Sequence, residues 1–316
     1  MGERTGALLN FSVLLMWLNK AFSAAFEFFG RFVFNMYPPK VGGMMRGVRY
    51  GGLHRSQALD VVIPAGEGPF PVLVYIHGGG FHTMGRRSYE RLSKVFASHG
   101  YLVFNADYRL APTYRYFDQF ADVGEAVRYA YEHAADFGGD SSRLFIGGDS
   151  AGGTFTGVYG AAACDPEMAK AVNLWPTVPV EDIAGLLLFY GTYDFNTAVK
   201  TGFPLITHFA RGFLGHDPEE YREAGIICST LDHLTPQFPP SILVSGGKDH
   251  LHTESVAFSK ELERMGVDHE ECFFPKDEFP EAFHGFINLF FLRCTDIAIN
   301  RSLEFMKARS GTREVG

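Results

Sequence analysis

With 316 residues, 46% of them hydrophobic, the chain can bury a large core and needs no disulfide or structural metal to fold. A net charge of −8 excludes the basic electrostatic footprint of a nucleic-acid-binding protein. The four cysteines (Cys164, Cys228, Cys272, Cys294) form no C-x-x-C pair, which argues against a zinc site and for a reducing, cytoplasmic setting.

The apolar run from Leu8 to Leu18 is too short to span a bilayer, and Lys20, Glu27 and Arg31 break up the residues after it. Glu3 and Arg4 cancel where a secretory signal carries net positive charge, although Ser23-Ala24-Ala25 resembles a cleavage site and keeps secretion as the alternative. Leu14, Leu18, Phe22, Phe26, Phe29 and Val33 recur at helical spacing opposite Lys20, Ser23, Glu27 and Arg31, and Pro38-Pro39 closes the segment. Residues 1–45 therefore read as an amphipathic helical arm. Such an arm fits part of a cap over an active site, a helix packed on the domain surface, or contact with a lipid interface without a stable anchor.

Residues 47–50 and 58–63 read as early strands, the second ending at Pro64, and 66–71 form a turn cluster. Residues 72–76 are a continuous apolar β run, as in a buried parallel strand. Tyr89, Leu92, Phe96 and His99 keep helical spacing up to Gly100. A strand at 101–104 and a helix from Phe120 to Ala134 come next, the helix stopped by Gly138-Gly139. Further strands fall at 144–146, 186–190, 242–245 and 271–274, with helices over 151–163, 254–265 and 290–306. Residues 195–238 carry Pro, Gly and aromatics without a strand pattern and read as a second cap segment within a domain spanning 46–316. Alternating strands and helices give an α/β class with a mostly parallel sheet covered on both faces.

Two glycine-rich stretches carry the chemistry. Gly148-Asp149-Ser150-Ala151-Gly152 is a G-x-S-x-G elbow between a strand and a helix, where a tight turn lifts the serine hydroxyl clear of the backbone. His77-Gly78-Gly79-Gly80-Phe81 offers backbone N–H groups to a developing oxyanion with no side chains in the way. A serine nucleophile needs a base within reach and an acid to orient it. His284 lies beyond the last strand, whereas His250, His252 and His269 precede it. Asp249 follows the strand at 242–245, where ligand groups collect in open parallel sheets. Glu254, Asp277 and Glu278 are its rivals, the last two lying just before His284. Asp149 is expected to brace the elbow and His77 the glycine loop. Phe81 is a candidate for the substrate pocket.

Together with Asp107-Tyr108-Arg109-Leu110-Ala111-Pro112 and His284-Gly285-Phe286, these motifs resemble the hormone-sensitive-lipase-like branch of the α/β-hydrolases, the bacterial family IV esterases. Thr113 stands where that branch usually places a glutamate. The resemblance implies an α/β-hydrolase fold with a helical cap and a catalytic triad of Ser150, Asp249 and His284. It implies oxyanion donors on Gly78, Gly79 and Ala151, and no cofactor or metal. The implied activity is hydrolysis of small-molecule carboxylic esters with short to medium acyl chains, by a monomer or homodimer. An amidase or arylformamidase, or a lipase, would use the same residues.

Overall fold

In the computed structural model, residues 27–28, 30–52 and 54–311 are described, so most of the expected N-terminal arm, from Leu14 to Phe26 and including Phe29, lies outside them. The central feature is an eight-stranded sheet ordered β1-β2-β4-β3-β5-β6-β7-β8. Strands β3 (Phe70–Ile76), β4 (Leu102–Ala106), β5 (Gly139–Asp149), β6 (Ile183–Phe189), β7 (Ser241–Gly246) and β8 (His269–Phe274) run parallel. β1 (Gly43–Arg49) and β2 (Ala58–Ile63) extend the sheet beside β4 through antiparallel pairs.

Helices α1 (Glu90–Ser98), α2 (Tyr116–His133), α3 (Ala151–Cys164), α4 (Pro166–Ala171), α5 (Phe195–Ala198), α6 (Ile206–Leu214), α7 (Pro218–Ile227), α8 (His252–Met265) and α9 (Arg293–Arg309) lie between and after the strands. The period-two pleat divides each apolar strand between two cores. Val72, Val74 and Ile76 of β3 face a core shared with Phe120 of α2, Phe155 of α3 and Phe258 of α8. Leu73 and Tyr75 face the opposite core with Phe96 of α1 and Phe305 of α9. Burying each such side chain contributes roughly 1.5–3 kcal/mol, so both layers hold the strand ends in fixed register.

The differences from the sequence expectation sit where polarity hides the pattern. β5 begins at Gly139, well before the apolar 144–146, because Gly139 and Asp140 pair with Phe70 and Pro71 across a register shift. β8 at the sheet edge begins at His269, not 271. α9 begins at Arg293 because Phe290 is held in the preceding loop, under the Arg91 guanidinium and against Tyr37. The short α4 has no counterpart in the expected elements, although Asp165 caps it by accepting from the N–H groups of Glu167 and Met168, with Pro166 in its first turn. Residues 195–238 are helical, carrying α5, α6, α7 and a 3-10 turn at Thr230–His233 between β6 and β7. Of the arm, residues 30–34 are helical, and Phe28 and Phe32 are strongly exposed. Among the described residues no helix is long and apolar enough to cross a membrane.

Candidate active site

The residues with catalytic chemistry come from the carboxyl ends of β3, β5, β7 and β8, where an open parallel sheet gathers its ligands. Ser150 sits between β5 and α3 with φ 53° and ψ −116°, a left-handed backbone that a non-glycine residue adopts only when its surroundings force it. Its N–H donates to the carbonyl of Phe189 at 2.9 Å, pinning the elbow to the end of β6. Close approach explains the flanking glycines. A Cβ on Gly148 would lie 2.5 Å from the Ile76 carbonyl oxygen, and one on Gly152 only 2.0 Å from the same atom.

His284 Nε2 lies 2.8 Å from Ser150 Oγ, and His284 Nδ1 lies 2.7 Å from Asp249 Oδ2. The other carboxylate oxygen of Asp249 accepts the N–H of Leu251 at 2.8 Å, so both oxygens are spoken for. The imidazole is packed edge-on by Phe203 from the inserted helices, with ring centroids 4.5 Å apart, and by Tyr190 at 5.0 Å. The rivals are engaged elsewhere. His252 meets Ser245, His250 meets the Thr201 carbonyl, and His269 meets Ser259. Glu254 is buried and accepts from the N–H groups of Tyr193 and Asp194 and from the Thr197 hydroxyl, anchoring the start of the insertion. Asp277 and Glu278 are exposed.

Ser150 and His284 open into a cavity of about 250 Å³ walled by Phe34, Met84, Phe203, Leu205 and Phe209. A larger crevice of about 540 Å³ at the opposite ends of β6 and β7, beside Phe238 and Arg309, has no nucleophile–base pair.

Two expectations require correction. Gly78 is expected as an oxyanion donor, but its N–H is engaged by neighbouring side chains. It donates to Asp149 Oδ1 at 3.0 Å and lies 3.1 Å from the Tyr89 hydroxyl, so it is already spent. Of the glycine run, Gly79 and Gly80 line the cavity. Gly80 is not among the expected donors, although it is the last glycine of the run and the one farthest from the strand. Phe81 is not a pocket residue. It is 4% exposed and stacked on Phe213 at 3.9 Å, while its carbonyl accepts from Ala111 N and Gln119 Nε2. Ala151, the first residue of α3, brings an N–H from the helix's first turn, where backbone donors have no intrahelical partner.

Asp149 is buried, and that burial pushes its carboxyl up to about 6 against the hydrogen bonds it receives. His77 is also buried and stacked on Tyr108 at 4.3 Å. Burial holds its imidazole below the usual range, which suits bracing and not proton transfer.

Gly79 has φ +122°, and a Cβ there would lie 2.1 Å from the Thr83 carbonyl oxygen. Gly79→Ala is therefore expected to displace the loop and lower kcat by roughly 10²–10³, the cost of a lost oxyanion donor. Gly100→Ala, also at positive φ but with open space around it, serves as the control. It should lower Tm and leave kcat alone; equal kcat losses in both variants would refute a local role for Gly79.

A family model described as the alpha/beta hydrolase fold matches residues 73–288. Among curated relatives, esterase LipC of Mycobacterium tuberculosis is 28% identical over 266 residues, covering 78% of this chain and 63% of LipC. Carboxylesterase NlhH of the same species is 27% identical over 247 residues, covering 77% of this chain and 75% of NlhH. The chain thus spans less than two thirds of LipC and about three quarters of NlhH. Of solved structures, esterase B from Lactobacillus rhamnosis superposes with a TM-score of 0.81 at 19% identity, over 98% of this chain and 97% of that one. The esterase of Pyrobaculum calidifontis superposes with a TM-score of 0.76 at 20% identity, over 93% and 94% of the two chains. At those identities the superpositions speak for the fold alone. With the family match spanning most of its length and the elbow at the end of β5, the chain belongs to the α/β-hydrolase fold family.

Proposed function

We propose that the protein is a serine carboxylesterase acting on small, uncharged carboxylic esters through an acyl-enzyme on Ser150. The observation that carries the reading is the chain of contacts from Asp249 through His284 to Ser150 at the mouth of an apolar cavity. Ser150 Oγ attacks the ester carbonyl while His284 Nε2 takes its proton, and the Asp249 carboxylate stabilises the resulting imidazolium. The N–H groups of Gly79, Gly80 and Ala151 hold the oxyanion of the tetrahedral intermediate. His284 returns the proton to the leaving alcohol, and water, activated by the same imidazole, then releases the acid.

The inserted helices of 195–238 and the end of the arm at Phe34 act as a cap, since Phe34, Phe203, Leu205 and Phe209 wall the cavity. At about 250 Å³ the cavity falls below the roughly 300–1,000 Å³ usual for drug-sized ligands, which favours short to medium acyl chains. Relatives named esterase and carboxylesterase support the same chemistry.

The test is hydrolysis of p-nitrophenyl esters from acetate to palmitate beside a matched anilide. Turnover is expected to peak at short to medium chains and to exceed that of the anilide by orders of magnitude. Comparable anilide turnover would make the protein an amidase, and a jump in rate when a long-chain substrate aggregates would make it a lipase.

A further inference from the structure

Four neutral donors converge on Asp149, a buried carboxylate to which the proposed mechanism gives no role. Asp149 receives the Tyr75 hydroxyl at 3.2 Å and the Gly78 N–H at 3.0 Å on Oδ1, and the Tyr89 hydroxyl at 3.0 Å on Oδ2. Asn288 Nδ2 reaches Oδ2 at 3.5 Å, the weakest of the set. Tyr75, Tyr89, Asp149 and Asn288 are each 7% exposed or less. The donors come from separate parts of the site: Tyr75 from β3, Gly78 from the glycine loop, Tyr89 from the turn before α1, and Asn288 from the turn after His284.

We propose that Tyr89 and Tyr75 are positioning residues, which act through Asp149 to hold the oxyanion loop in register with the nucleophile. Asp149 is the residue before Ser150, and Gly78 is the residue before Gly79. One carboxylate therefore ties the backbone next to the nucleophile to the backbone next to the oxyanion donors. Tyr89 closes the triangle, since its hydroxyl lies within hydrogen-bond distance of both Asp149 and the Gly78 N–H. An ionised carboxylate buried among neutral donors costs stability. Its position beside the nucleophile gives that cost a geometric return, because a misplacement of about 1 Å at the reacting atoms costs on the order of 10²-fold in rate.

The inference rests on Ser150 as the nucleophile, and the experiment separates the two. The full chain is assayed on its best p-nitrophenyl ester as wild type, Tyr89→Phe, Tyr75→Phe, Asp149→Asn and the Tyr89→Phe/Asp149→Asn double variant, each with butylboronic acid as a tetrahedral mimic. Tyr89→Phe is expected to lose roughly 10-fold or more in kcat with KM within about two-fold, and boronate affinity should fall in parallel. In the Asp149→Asn background the same change should cost less than about two-fold, since both act through one group. Unchanged kcat in Tyr89→Phe, unchanged boronate affinity, or an equal loss in the Asp149→Asn background would each overturn the clamp. Should Tyr89→Phe not fold, Tyr75→Phe carries the test, with a loss of roughly three-fold or more expected and unchanged kcat overturning it. An inactive wild type would instead overturn the esterase reading.

Discussion

Ser150→Ala is expected to lower kcat on p-nitrophenyl esters by roughly 10⁶, the scale on which loss of a serine nucleophile abolishes acyl transfer. The size reflects the two roles of Oγ. It is the atom that forms the new bond, and its proton is the one His284 Nε2 is placed to accept at 2.8 Å. The surviving activity is the residual rate from substrate binding and oxyanion stabilisation, roughly 10³–10⁴ over water. KM should move little, because the apolar walls of the cavity stay in place. Stability should also hold to within about 1 kcal/mol, since the elbow is fixed by the Ser150 N–H and carbonyl and not by its hydroxyl. A phosphonate ester supplies an independent readout. Wild type should gain the mass of one phosphonyl group on Ser150, with loss of the leaving group, and Ser150→Ala should gain none. Activity or labelling that persists in Ser150→Ala would place the chemistry elsewhere.

The strand-end chemistry is legible in the sequence because it depends on local backbone. A nucleophile elbow needs small residues where Gly148 and Gly152 meet the Ile76 carbonyl, and that demand leaves a short, readable motif. The residue proposed as base stands out by order, since His284 lies beyond β8 and His250, His252 and His269 do not. The hidden features depend on partners far along the chain. Which glycine N–H faces the cavity is decided by Asp149, 71 residues after Gly78. Whether Phe81 packs inward or lines a pocket is decided by Phe213 in the insertion. Neither relation has a periodicity to detect. The insertion itself carries a weak local signal: Asp217-Pro218 caps α7, with Asp217 accepting from the N–H groups of Glu219 and Glu220 at 3.0 Å. Its apolar walls are not readable as a pocket, because Phe203, Leu205 and Phe209 become neighbours of Ser150 only once β6 and β7 are paired.

Asp249→Asn is the second large effect, with an expected loss of roughly 10⁴ in kcat and little change in fold. The amide is nearly isosteric with the carboxylate, so the loop after β7 keeps its shape. Its single oxygen must then choose between two donors that the carboxylate serves together: the Leu251 N–H at 2.8 Å and His284 Nδ1 at 2.7 Å. If the oxygen stays with Leu251, the amide N–H₂ faces Nδ1. Nδ1 must then accept a hydrogen bond, which places the ring proton on Nε2. An imidazole protonated at Nε2 cannot take the proton of Ser150, although the three residues still sit at nearly the same distances. The variant should therefore bind substrate with KM close to wild type, unfold at a similar temperature and turn over very slowly. Asp277→Asn and Glu278→Gln, at exposed positions in the preceding loop, should keep kcat within about three-fold of wild type. If one of those variants lost the activity while Asp249→Asn retained it, the acid would belong to the loop before His284, and the contact between Asp249 and His284 would be structural.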